Sequence, residues 1–487
     1  MTTVTVRVVS DTRNAIDRFF AISARGSTVS REVRGGIATF FTMAYIVVLN
    51  PLILTSGKDV EGQFIGDGTT PNVALVAAGT AFVAGVLTIL MGVVGKVPFA
   101  MAAGLGLNAF VTFQIATVMT WEEAMGLVFL EGVIIAVLVM TGLRTAVFHA
   151  IPSQLKTAIS VGIGLFIALI GFVDAGFVRK AAGTPLELGI GGALTSWPIF
   201  VFIVGLLATA AMVARKVKGA ILIGIVGTTI LAIIVEAIAK LGPSVPDDPY
   251  GWRLNQPVVP DQIFGFHNPL TLFAEFNPFG GFVRVDVLLA ALFVFTLLIT
   301  DFFDTMGTIV GVGRQADLVQ EDGTLPRTKQ ILLVDSIGAA VGGAGSVSSN
   351  TTYIESAAGV GEGARTGLAS VVTGALFLVA IFFAPLVTIV PYEAAAPALV
   401  LVGFMMMTAI RDIEWNDYEI AIPAFLTVVI MPFTYSISNG IGAGFISYVL
   451  IKVVSGKARE IHPLLWGVAV LFALYFAIGP IRALFGV

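Results

Sequence analysis

VPFAMAAGLGLNAF, residues 97 to 110, and GSVSSNTTYIESAAGVGEG, residues 345 to 363, are the two stretches where an otherwise apolar chain loses the pattern of a continuous helix. Each begins with small or β-tolerant residues and is too rich in glycine or polar groups for a full apolar helix. Each therefore predicts a short helix after an extended run. Inside a bilayer the backbone of such a break must face protein, water or ligand, because hydrocarbon offers it no hydrogen bonds. Close helix packing at small residues accounts for isolated glycines such as Gly338 and Gly342. It does not account for Ser346, Ser348, Ser349, Asn350, Thr351, Thr352 and Glu355 in one cluster.

The bilayer is implied by composition. The 487 residues are 57% hydrophobic and 12% charged, with a mean hydropathy of +0.96, whereas soluble domains carry about 25% charged residues. A net charge of -4 argues against a nucleic-acid partner. Zero cysteine excludes disulfides and thiolate metal sites. The three histidines, His149, His267 and His462, are too scattered to suggest an imidazole metal site. No signal peptide opens the chain. Residues 1 to 34 carry six arginines and read as a retained cytoplasmic segment. Within it Ala15 to Ala24 fits a short membrane-surface helix with Phe19 and Phe20 dipping inward.

A span needs about 20 largely apolar residues. Fourteen candidates lie near 35 to 54, 72 to 94, 98 to 118, 123 to 141, 156 to 173, 197 to 214, 219 to 238, 286 to 312, 329 to 344, 346 to 362, 366 to 389, 395 to 410, 416 to 435 and 438 to 454. Leu464 to Phe485 is a candidate fifteenth. With the N-terminus inside, Lys96, Arg144, Lys156, Arg215, Lys216, Lys218, Arg314, Arg327, Arg365, Arg411 and Lys452 all fall on the cytoplasmic side. Lys58, Arg179, Lys180 and Arg253 run against that trend. The polar stretch 239 to 285 separates seven spans from seven. Seven is odd, so the halves must lie in opposite orientation as an inverted repeat. Gly35 and Asp286, where the two halves begin, are 251 residues apart, and the two broken segments keep nearly the same offset. Broken helices at matching places of two inverted halves are the best sequence pointer to a transporter's mid-membrane binding site.

Acidic residues inside apolar spans are costly and mark function by default. Asp301, Asp304 and Thr308 follow one another at i, i+3 and i+7 and share a helical face. Two carboxylates one turn apart cannot both ionise cheaply in a poorly hydrated site, so one is expected to hold a proton. Glu355 opens the short helix after SSNTT, where free backbone donors stabilise a carboxylate. Asn108 lies in the other broken segment, 247 residues before Glu355 and hence opposite it in the repeat. Glu131 and Asp335 are single acids, and a structural bond to an adjacent helix is the expectation for both. The acids, the amide, and Phe302, Phe303 and Phe110 beside them, with no Lys or Arg in these segments, suit a neutral or cationic ligand rich in N–H donors. A flat heterocycle meets that description.

RGSTVSREVRGGIATFFTMAYIVVLNPLIL (25 to 54), TDFFDTMGT (300 to 308) and SSNTTYIESAAGVGEGARTGLASVVTG (348 to 374) resemble the azaguanine-resistance-type purine permeases of the nucleobase:cation symporter superfamily. The likeness runs from about residue 15 to 455. It implies an all-α polytopic fold like that of uracil permease, with broken spans 3 and 10 contributing short strands that cross at the midplane. It also implies a division into a cytoplasmic segment (1–34), core halves (35–141 and 286–389), gate halves (142–238 and 390–454), an extracytoplasmic loop (239–285) and a C-terminal apolar segment (455–487). By motif match, Asp301 and Glu355 fall on the acids that hold the nucleobase, Asn108 on the polar position of span 3, and Asp304 on the second acid of span 8.

The expected function is therefore proton-coupled import of adenine, guanine or hypoxanthine across the cell membrane by alternating access. Asp301, Glu355, Asn108, Phe302 and Thr352 are the expected substrate contacts. Asp304, Asp301 and Glu355 are the expected proton carriers, with no metal and no organic cofactor. An apolar gate surface leaves room for a homodimer that nothing in the chain fixes. A uracil, xanthine or small-anion carrier of the same architecture is the runner-up, though an anion site should present a positive group. An intramembrane aspartyl protease is more remote, because it needs acids on separate facing helices.

Overall fold

The computed structural model describes residues 15–485 apart from 67, 143–150, 182, 246–247, 260–261, 274 and 320–324. Among them, ten helical segments are long and apolar enough to cross a bilayer, and shorter apolar helices lie between these. The first crossing is α1 (Val29–Met43) continued by α2 (Ile46–Leu54), with the Thr28 hydroxyl accepting from the Arg31 N–H at its start. α3 spans Val73–Leu90. The third crossing is interrupted: strand β1 (Met101–Ala103) leads into the six-residue α4 (Leu105–Phe110), which ends in a wide turn over Val111–Ile115. α5 (Trp121–Thr141) opens with a reciprocal cap between Thr120 and Glu123. α6 (Ser153–Asp174), α7 (Trp197–Ala214) and α8 (Ala220–Ala239) complete the first half.

The second half repeats the sequence of elements. α9 (Val287–Gln315) and α10 (Thr328–Ala344) precede strand β2 (Asn350–Thr352) and the six-residue α11 (Ser356–Gly361). α12 (Gly367–Ala380) tightens into a 3₁₀ turn over Ile381–Ile389, which contains Pro385. α13 (Tyr392–Met407), α14 (Tyr418–Phe433) and α15 (Ile437–Val454) follow. The last apolar run is a helix, α16 (Pro463–Phe485), packed on α15 and α9. At 1.5 Å per residue it has the length to cross the hydrocarbon core.

The two breaks meet. β1 and β2 pair antiparallel, with Met101 opposite Thr352, Ala102 opposite Thr351 and Ala103 opposite Asn350. Pairing lets the extended backbone of each break satisfy the other within the bundle. The helices around them pack in two sets. In one, α5 lies on α10, α12 on α3 and α1, and α11 on α1. In the other, α13 lies on α6 and α7, α14 on α6 and α15, and α8 on α7.

The N-terminal surface helix is shorter than expected, Ala15–Phe20. Phe20 turns into the protein and Phe19 stays exposed, with the Lys96 ammonium 4.1 Å from the Phe19 ring centre. Docking onto the Lys96 turn gives this helix a protein surface rather than lipid alone.

Candidate functional site

The site is assembled from the paired strands and what faces them. Ser346 and Ser348, just before β2, hold φ of +52° and +67°, a left-handed conformation that costs a non-glycine residue about 1 kcal/mol or more. The cost is carried where the chain must turn from α10 into a strand at mid-bundle. From β2 the chain passes through Tyr353, whose hydroxyl donates to the Ala103 carbonyl at 2.5 Å and whose N–H donates to the Ala100 carbonyl at 2.9 Å. The Ser356 hydroxyl accepts from the Ala100 N–H at 2.9 Å. The second break is thus fastened to the first by side chains as well as by the strand pair.

Glu355 stands at the start of α11, yet its side chain makes no cap bond. It reaches across to α1–α2, where the Tyr45 hydroxyl donates to Oε1, and it keeps partial exposure. Asp304, in mid-α9, lies near Glu355 and Asp335 and is exposed. An exposed carboxylate halfway along a spanning helix, beside a second acid, marks an opening in the bundle. Asp301, one turn earlier, is wholly buried and stands against Glu131 of α5. The structure therefore brings Asp304 and Glu355 together and sets Asp301, one turn along the same helix, against Glu131. Phe302 is also wholly buried.

Thr352 is held by Asp335: its N–H and hydroxyl both donate to Oδ1, at 3.1 and 3.0 Å. The other oxygen of Asp335 accepts from the Thr305 hydroxyl at 2.8 Å, and Thr305 bonds in turn to Thr351 at 2.6 Å. Asp335 is therefore a structural anchor that ties β2 to α9 and α10. Glu131 is likewise met by groups from other elements. It has a polar neighbourhood, the Ser349 hydroxyl and the Asp301 carboxyl, contributed by segments about 170 to 220 positions along the chain.

Asn108 is wholly buried, and neither its Nδ2 nor its Oδ1 has a hydrogen-bond partner. Thr112, one turn on, is buried and unpartnered as well. A buried amide left unpaired costs about 1–3 kcal/mol, which is tolerated readily where a ligand supplies the missing bonds. Asn108 is not the repeat equivalent of Glu355. The helix starts, Leu105 and Ser356, are 251 positions apart, so Gly104 matches Glu355 and Asn108 matches Gly359. Phe110, next along, packs edge-on to Phe293 of α9 at 5.8 Å.

Tyr45, Tyr353 and Thr305 are site residues that the sequence reading missed. A tyrosine in an apolar span needs a partner for its hydroxyl, and that was the available signal for Tyr45. Among the described residues no cluster of His, Asp and Glu has metal-binding geometry.

Two inverted halves crossing through paired strands, with acids gathered at the crossing, define a membrane transporter. A model described as "Permease family" matches residues 30–443. The guanine/hypoxanthine permease PbuG of Bacillus subtilis is 37% identical over 94% of this chain and 98% of its own length. The adenine permease AdeP of Escherichia coli is 35% identical over 94% and 95%. The chain belongs to this permease family, the nucleobase:cation symporters that its motifs resemble, and it is a transporter rather than an enzyme. Among solved structures, the transmembrane domain of a cyanobacterium bicarbonate transporter, BicA, superposes with a TM-score of 0.55 at 14% identity, covering 85% of this chain and 97% of that one. SLC26A9 superposes with a TM-score of 0.58 at 11% identity, covering 88% and 66%. These two show the shared fold.

Proposed function

We propose that this permease imports purine nucleobases, with adenine, guanine and hypoxanthine as the candidate substrates, in symport with protons across the cell membrane. The observation that carries the reading is Glu355: an acid at the second break, held by Tyr45 and facing Asp304 where the bundle opens. A purine offers ring and exocyclic N–H groups that a carboxylate accepts in pairs. Asn108, with both a donor and an acceptor unused, suits a ring edge that has both. Asp301, Phe302 and Thr352 complete the proposed substrate surround, and Asp304, Asp301 and Glu355 are the proposed proton groups. The purine-permease names of the relatives support the substrate class.

Alternating access takes the two packing sets as core and gate, with the N-terminus on the cytoplasmic side. At the end bearing the loop 239–285 the sets are joined by buried or half-buried bonds: Tyr392 Oη to the Leu52 carbonyl at 3.1 Å, Ser436 to Gln114 at 2.8 Å, and Thr296 to Ser438 at 3.2 Å. At the other end, among the described residues, the exposed Lys218 pairs with Glu362. This pattern supports a conformation shut toward the loop side and open toward the opposite one.

Uptake of labelled hypoxanthine, adenine and guanine in a permease-deficient bacterium tests the reading. Accumulation that a protonophore abolishes is expected. Uracil uptake without purine uptake would move the substrate to a sister class, and purine uptake indifferent to the protonophore would remove the coupling.

A further inference from the structure

Glu131 is a buried acid that the proposed substrate contacts leave unused. It sits in mid-α5, wholly enclosed, as are Asp301 and Ser349, the two groups its carboxyl stands against. Beside it α5 touches α10 directly: a Cβ at Gly132 would meet the Ala340 nitrogen at 2.2 Å. That contact packs α10 tightly against α5 at the residue next to Glu131.

The elements packed on α5 bring few charges to Glu131. From α9 comes Asp301, and from α10 comes Asp335, whose oxygens already accept from Thr305 and Thr352. The short helix Gly280–Arg284 brings Arg284, bound to Glu123 at 2.5 Å and Glu61 at 3.0 Å, two turns of α5 away. The turn Val111–Ile115 carries no titratable side chain. Among the described residues, the charged groups that act on Glu131 are both acids, Asp301 and Asp335. Ionised carboxylates only accept hydrogen bonds, so two of them side by side in a dry place need a proton between them.

We propose that Glu131 and Asp301 share one proton and that this pair is the seat of the coupling proton. Asp301 and Asp304 are one turn apart on α9, so the helix that presents Asp304 to the opening also holds Asp301 against Glu131. With the proton in place the pair is a singly charged, docked unit. When the carboxyl O–H breaks and water takes the proton as hydronium, two adjacent carboxylates remain and repel, driving Asp301 off α5 toward the substrate space. Proton occupancy thereby sets the charge that the nucleobase meets.

The proposal rests on the proton-coupled purine reading above, and the test separates the two. In proteoliposomes, hypoxanthine uptake driven by an imposed pH gradient is compared with exchange of internal for external hypoxanthine without a gradient. For Glu131→Gln, exchange should stay within about threefold of wild type while gradient-driven uptake falls at least about tenfold, the equivalent of one pKa unit of coupling. Glu131→Asp should recover part of the gradient-driven uptake. Loss of both activities together in a variant that elutes as a folded monodisperse species, or retention of both, overturns the proposal. If Glu131→Gln does not fold, Ser349→Ala decides: the pH midpoint of gradient-driven uptake should move while exchange stays constant, and an unmoved midpoint overturns it. Wild-type uptake that ignores the gradient sinks the coupling reading itself, a failure visible before any variant is made.

Discussion

Residues 97 to 110 and 345 to 363 run the same course, a three-residue strand followed by a six-residue helix, and they meet as partners at mid-bundle. Their side chains differ. The first break is lined by Phe99, Met101, Leu105, Leu107 and Phe110, all buried, with Asn108 as its one polar side chain. The second supplies serines, threonines, Asn350, Tyr353 and Glu355. At the matched step of the two short helices, Asn108 is set against Gly359, which touches α1. The duplicated backbone builds the crossing, and the charge chemistry sits on one copy of it. A symmetric frame can thus hold an asymmetric ligand, with one half gripping polar edges and the other giving an apolar wall and a single amide.

The largest effect should follow from removing the acid of the second break. Glu355→Gln should lower purine uptake by about 100-fold, since a hydrogen bond to a charged group contributes about 1.5–3 kcal/mol and the opposing Tyr45 hydroxyl loses its ionised acceptor. Next comes the frame itself. A Cβ at position 359 would meet Thr39 Oγ1 at 2.3 Å and the Gly35 carbonyl at 2.5 Å, so Gly359→Val should destabilise by about 1–3 kcal/mol, read as a lower melting temperature in detergent. Asn108→Ala should weaken purine binding about tenfold while leaving the melting temperature unchanged or raised, because the removed amide was unpartnered. Equal losses for Asn108→Ala and Glu355→Gln would erase the distinction between the two breaks. Tyr45→Phe should raise KM about fivefold, the loss of about 1 kcal/mol. Ser348→Gly should raise stability by a fraction of 1 kcal/mol by relieving its left-handed φ without changing uptake.

Much of the frame is written in the sequence because a bilayer forces it. Apolar length marked each crossing, an odd number of spans on either side of residues 239–285 required inversion, and loss of helical pattern at 97–110 and 345–363 located the strands. The site was legible wherever an acid or amide lay in apolar surroundings: Asp301, Asp304, Glu355 and Asn108. Which of these meet was not. Tyr45 and Glu355 are 310 positions apart, and periodicity does not say which helix faces which. Hence Asp301 looked like a companion of Glu355, whereas rotation along α9 gives that place to Asp304 and turns Asp301 to Glu131. The offset of 247 that paired Asn108 with Glu355 was short by four residues, one helical turn, because only the elements, not individual residues, are repeated.

The acid at the second break, Glu355, is the proposed holder of the ligand. Calorimetric titration of the purified protein with hypoxanthine, beside Glu355→Gln at the same melting temperature, tests it most directly. Saturable binding to wild type and none to the variant is the predicted result. Equal affinity for both would place the ligand elsewhere and contradict the account.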